Sequence, residues 1–280
     1  MLECVVIMEK IKPIKRSMVR RFAGRLWYTG LRYCQWYFSG KKYCKKKDSE
    51  LLEYSVFSHK TILLRQLKDV EMWMQFNKIT NLRIASACLN GIIIYPGETF
   101  SYWKLIGKPC RRKSYVEGMV LFNGGFKAGI GGGLCQLSNL IYWMTLHTPL
   151  TVTERYRHSY DVFPDSNRQL PFGSGATCVY NYRDLQIYNG TNQPFQLIVN
   201  LDDKYLKGEW RTNIKLDKTY EVYEKNHRIS HEYWGGYIRH NEIWRREFVN
   251  EDEMISDDYI TENNALMMYQ PFLENALNLN

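Results

Sequence analysis

The chain has 280 residues, of which 45% are hydrophobic and 24% charged, with a formal net charge of +9. These are the proportions of an ordinary globular protein with one sizeable core, and no apolar run approaches the ~20 residues of a membrane-spanning helix. The charge is uneven: residues 1–47 carry thirteen Lys and Arg against Glu3 and Glu9, while the rest of the chain is nearly neutral.

Residues 13–38 read as one or two helices. Val19, Phe22, Ala23, Leu26, Gly30, Tyr33 and Tyr37 recur at helical spacing, flanked by Arg16, Arg20, Arg21, Arg25 and Arg32. Such a basic amphipathic arm, residues 1–50, can lie on an anionic membrane surface through residues 1–47 or dock on its own domain. Nucleic acid is not expected as a partner, because no recognition motif accompanies the charge.

A central domain is expected over residues 51–215 and an extension over residues 216–280. Ser58–Leu89 reads as helical, with Leu63, Leu67, Val70 and Met74 on one face. Ile92–Tyr95 is a short apolar strand between Asn90-Gly91 and Pro96-Gly97, and Met119–Phe122 is a second, turning at Asn123-Gly124-Gly125. A helix follows from Leu134 to His147. Thr151–Tyr160, Thr177–Asn189 and Phe195–Leu201 alternate as strands. Helices early and strands late predict an α+β fold with a mostly antiparallel sheet. His227 and His231 stand four apart, but no third ligand accompanies them, and neither a metal nor another cofactor is expected.

The most informative stretch is Gly131-Gly132-Gly133-Leu134-Cys135-Gln136. Glycine permits close backbone approach and positive φ. A helix start offers unpaired N–H groups and partial positive charge, which would stabilise a Cys135 thiolate or a developing oxyanion. If Leu134–His147 is helical, Leu134, Leu137, Ile141 and Met144 form its core stripe. Cys135, Ser138, Asn139 and Tyr142 then share a more polar face, suited to a substrate, and Gln136 offers an amide donor beside the thiolate. A nucleophilic cysteine needs a base and an orienting partner; His158 and Asp184 are the candidates by type and order. His147 is excluded as base by distance along the helix, roughly 18 Å from Cys135 at 1.5 Å per residue. Helix cysteine, strand histidine and next-strand acid is the order of papain-like and transglutaminase-like enzymes, by analogy.

Seven cysteines, an odd number without a C-x-x-C pair, argue against a disulfide framework. With no signal-peptide core apparent, the expectation is a cytoplasmic protein, peripheral to the inner membrane face through its arm.

These residues resemble the VanW domain family. The resemblance rests on Leu89-Asn90-Gly91 through Pro96-Gly97-Glu98-Thr99-Phe100-Ser101, the Gly131–Gln136 motif, Glu154-Arg155 through His158, and Asp184-Leu185. It covers roughly residues 58–201. It implies a role in glycopeptide (vancomycin) resistance or cell-envelope metabolism, and a peptidoglycan-related peptide or precursor as partner. Some members are implicated as cysteine-dependent L,D-transpeptidases. That activity implies acyl transfer through Cys135, with His158 as base and then acid, Asp184 as the carboxylate that holds its imidazole, and Gly131, Gly132, Gly133 and Gln136 positioning the oxyanion. Two positions depart from the family pattern: Tyr156 stands where many members have histidine, and Gly175 where many have aspartate. Two rival readings remain open. One is a binding module lined by Trp103, Tyr115, Tyr142 and the Trp234–Tyr237 aromatics. The other is a thiol redox sensor, which requires a resolving cysteine near Cys135.

Overall fold

The structure is a computed structural model that describes residues 17–65, 70–122, 124–157, 160–164, 170–249 and 253–271. Ser17 opens the first helix, α1 (Met18–Phe38), by accepting the Arg20 N–H at 3.3 Å, which satisfies one of the donors a helix start leaves unpaired. Gly40, at φ +71°, turns the chain out of the helix. Then come β1 (Lys42–Tyr43), β2 (Tyr54–Ile62), α2 (Met72–Leu89), β3 (Ile92–Ile94), β4 (Glu98–Ser101) and the short α3 (Tyr102–Ile106). The hairpin β5 (Glu117–Phe122) and β6 (Gly125–Ile130) leads into α4 (Cys135–Leu146). Strands complete the chain: β7 (Thr151–Glu154), β8 (Tyr160–Asp161), β9 (Gln186–Tyr188), β10 (Phe195–Leu201), β11 (Tyr205–Thr212), β12 (Lys218–His231), β13 (Tyr237–Val249) and β14 (Glu253–Met267). The fold is α+β and mostly antiparallel, as expected.

The central sheet runs β2-β11-β10-β3, every pair antiparallel. Phe195, Leu197 and Val199 of β10 and Leu206 and Trp210 of β11 are buried at every second position, the strand period. Helix α4 packs on β11 where Gly208 leaves room: a Cβ there would strike Met144 and Leu140. The Trp210 indole N–H donates to Thr145 Oγ1 at 3.2 Å. All three side chains of β3 are buried, because Lys46 and Lys47 cover its outer edge: the Ile93 N–H donates to Lys46 O at 2.9 Å. A second sheet runs β1-β4-β9-β7, and a third runs β12-β13-β14-β8.

Among the described residues, the helix expected over Ser58–Leu89 is found at Met72–Leu89. Ser58 to Ile62 belong to β2, where the free edge of β11 gives their backbone a ladder, Ser58 opposite Glu209 and Ile62 opposite Tyr205. Among the described residues, the expected strands Thr151–Tyr160 and Thr177–Asn189 are also cut short, the first at a side-chain bond and the second at a backbone turn. Arg155 Nε donates to Gly175 O at 2.9 Å, and residues 179–183 close a tight turn with Asn181 at φ +57°. His227 and His231 lie on β12, so helical spacing does not apply to them; His231 stacks on Tyr237. Among the described residues no cluster of His, Cys, Asp or Glu could hold a metal ion. No helix among them is long and apolar enough to cross a membrane.

Candidate active site

Each glycine of the motif answers a different contact. Gly131, at φ +76°, lies against the Pro109 ring, and Gly132 lies on the backbone of Gly118 with no room for a Cβ. Gly133, at φ +89°, lies against the stem of Lys78. Backbone bonds from Gly131 N–H to Val116 O (3.0 Å) and from Gly133 N–H to Met119 O (2.9 Å) pin the turn to β5 and the residue before it. From below, α2 holds the same turn. Asn81 Nδ2 donates to Gly132 O at 2.9 Å and Val116 O at 3.1 Å, while its Oδ1 accepts the Val116 N–H at 2.9 Å. Burial pulls the Lys78 ammonium down to about 8, and Gln75 Oε1 accepts from it at 2.8 Å. Lys78 and Asn81 carry no local sequence signal, since the segments they hold, Val116 and the glycine turn, lie 35 or more residues beyond Asn81.

The turn delivers Cys135 as the first residue of α4, half-buried. Its Sγ faces the carbonyl of Cys178 at 3.9 Å. Burial raises the thiol above its ordinary pKa, against the opposing pull of backbone hydrogen bonds at Cys178 and at Cys135 itself. The thiolate stabilisation expected from a helix start is therefore outweighed by desolvation. Cys178 is buried beside it, its thiol pushed up by burial first and then by the proximity of Cys135 and Asp184.

The polar face of α4 is closed over by the loop 173–178. Ser138 Oγ donates to Ala176 O at 2.7 Å, and Asn139 Oδ1 accepts the Ala176 N–H at 2.8 Å. The Arg155 guanidinium lies 4.9 Å over the Tyr142 ring and donates to Gly173 O. Asn241 and Asn263, buried in the third sheet, hold Phe172 O from the other side. Gln136 Nε2 donates to Thr61 Oγ1 and Ile62 O, both at 2.9 Å, so its amide ties α4 to the end of β2. Gly175 is matched to this packing, because a Cβ there would lie 2.6 Å from Asn139 Oδ1. Trp103, Tyr115 and Tyr142 are core side chains with at most 4% exposure and cannot line the groove that the binding-module reading gave them.

Asp184 is fully buried just before β9. Its Oδ1 accepts the N–H groups of Trp103 and Leu185, each at 3.0 Å, and its Oδ2 accepts Ser101 Oγ at 2.5 Å. Burial pushes its pKa up to about 6, opposed by the Ser101 and Trp103 hydrogen bonds and by Arg32. Its own N–H donates to Glu154 Oε1 at 3.0 Å, and Glu154 is paired with Arg32 of α1. Arg32, Glu154, Ser101 and Cys178 are thus site neighbours to which the sequence reading gave no role in the site, although Ser101 and Glu154 stand in the segments that carry the family resemblance. His158 lies outside the described residues. Among those described, Asp184 and Cys135 flank Cys178 without bonding each other, and the papain-like order is not shown. His147 is at the far end of α4, stacked on Phe57 at 3.8 Å and pulled down to about 4 by burial.

Fold and site together define an α+β protein with a glycine-turn cysteine opening a buried helix. Residues 77–211 match the family model described as VanW like protein. The vancomycin B-type resistance protein VanW of Enterococcus faecalis (strain ATCC 700802 / V583) is 36% identical over 182 residues, 65% of this chain and 64% of that protein. The uncharacterized protein YoaR of Bacillus subtilis (strain 168) is 29% identical over 152 residues, 53% of this chain and 46% of that one. The chain spans less than two thirds of the length of either relative. No solved structure matches. Residues 77–211 are thus similar to the VanW-like family.

Proposed function

We propose that this protein serves glycopeptide resistance or cell-envelope metabolism, and that its chemistry is cysteine-dependent acyl transfer on a peptidoglycan-related peptide. The observation that carries the reading is Cys135 itself, held at the start of α4 by a turn in which all three glycines are sterically required. In the reaction the Cys135 proton passes to a base, for which His158 is the candidate, and Sγ bonds to a peptide carbonyl carbon. The amide C–N bond then breaks and the base returns the proton to the leaving amine; an acceptor amine next bonds to the same carbonyl carbon as the C–S bond breaks, and its proton passes through the base to Cys135 Sγ. The N–H groups of Gly131, Gly132, Gly133, Gln136 and Leu137 already donate to protein carbonyls, so the Cys135 N–H is the donor suited to the oxyanion.

The raised Cys135 pKa favours a second reading, a non-catalytic module that binds a precursor or a partner enzyme. The two separate by experiment. With a donor stem peptide, the acyl-transfer reading expects a thioester adduct on Cys135 by mass spectrometry, lost in Cys135→Ala with folding intact. Binding of the peptide without an adduct, unchanged in Cys135→Ser, supports the module instead.

A further inference from the structure

The apolar stripe of α1 is not the face by which α1 docks. The helix is held through Arg32 and Trp36, 7% and 6% exposed, with the Trp36 indole N–H donating to Ser101 Oγ at 3.1 Å. Roughly 100° around the helix, at 100° per residue, lies the stripe Val19, Phe22, Leu26, Tyr33 and Tyr37. Val19 is 79% exposed, Phe22 65%, Leu26 58% and Tyr37 67%. Such a row, about 27 Å long, is not left open to water without a partner.

Charge selects the partner. Between Ser17 and Lys47 there are eight Lys and Arg besides Arg32, whose charge Glu154 already pairs, and no Asp or Glu. Two copies pairing along this stripe would bring these charges together, whereas an anionic lipid surface neutralises them while accepting the apolar side chains. We propose that α1 is an in-plane anchor that lays Val19, Phe22, Leu26 and Tyr37 into an anionic membrane surface. At the end of the stripe Tyr33 Oη lies 3.3 Å from Tyr180 Oη, and Lys104 Nζ stands 4.0 Å over the Tyr37 ring. Tyr180 belongs to the same loop as Cys178, so the anchor sets the Cys135 region beside the lipid headgroups. The anchor stands independently of whether Cys135 reacts.

The test is co-sedimentation of the full chain with vesicles of phosphatidylcholine alone or mixed with phosphatidylglycerol. Expected is binding to the mixed vesicles, weakened by salt and absent with phosphatidylcholine alone. Phe22→Glu/Leu26→Glu should abolish it without changing the melting temperature, because both side chains stand in solvent. Arg20→Gln/Arg21→Gln/Arg25→Gln should weaken it roughly a hundredfold, from about fivefold for each charge. Absent binding, or binding unchanged in Phe22→Glu/Leu26→Glu, overturns the proposal. So does a dimer in sedimentation velocity that the same pair dissolves, which would make the stripe a self-association surface. The assay reads partition and not turnover, so its failure leaves the acyl-transfer reading standing.

Discussion

Arg32 and Glu154, 122 residues apart in sequence, meet in a two-pronged ion pair at 2.6 and 2.5 Å, with side chains 7% and 15% exposed. This pair fastens α1 to the end of β7, and Glu154 in turn accepts the Asp184 N–H and Gln186 Nε2. Removing one partner of a buried pair leaves an uncompensated charge, which costs about 3–5 kcal/mol. Arg32→Ala should therefore lower stability to urea by that order, and far more than Arg32→Met/Glu154→Gln, which removes both charges. A loss below about 1 kcal/mol in Arg32→Ala would mean that the pair behaves as an exposed one.

Asp184 should leave a signature in the pH dependence of stability. Its folded pKa, about 6, is raised above its unfolded value, so the folded protein binds the proton more tightly. Its contribution is therefore most favourable at low pH and is lost as pH rises from about 4 to about 6. The loss is on the order of 2–3 kcal/mol for a shift of this size. Melting curves of wild type and Asp184→Asn across that window should diverge, with the fall on raising pH present only in the wild type. Parallel curves would show that the carboxyl is not protonated in the fold.

The Cys135 thiol should be slow to alkylate at neutral pH. A free thiol titrates near pH 8.5, and burial places Cys135 above its ordinary value. Iodoacetamide labelling followed peptide by peptide should rise with a midpoint above that of a free thiol, while Cys178, buried beside it, labels only on unfolding. Rapid labelling of Cys135 at pH 6 would contradict the desolvated thiol and indicate an activated thiolate in the free protein.

Two glycine substitutions should act in opposite directions. Gly132→Ala drives a methyl into the backbone of Gly118 and should cost several kcal/mol, on the order of overpacking in a core. Gly24 lies within α1 with nothing near its Cβ position, so Gly24→Ala should stabilise by about 1 kcal/mol through helix propensity. Thermal denaturation of the two variants reads both signs, and a neutral Gly132→Ala would show that the turn can move away from β5.

What the sequence determined by itself is local. The glycine run and Cys135, the Ile92–Ile94 strand, the Phe195–Leu201 strand and the helix of residues 135–146 were legible, because period and turn chemistry act within a few residues. The long C-terminal strands were not, since bulges between Lys225 and Arg228, Ile243 and Trp244, and Glu247 and Phe248 break their alternation. Only the tertiary structure decided what the local signals meant. A periodic stripe on α1 reads equally as a membrane-facing or a docking face, and it is Arg32 and Trp36 that dock, because Glu154 and Ser101 are there to receive them. Asp184 reads as a strand acid, yet burial beneath Ser101 and Trp103 sets its charge. Burial and partners reached across a hundred residues depend on topology, and no spacing along the chain encodes them.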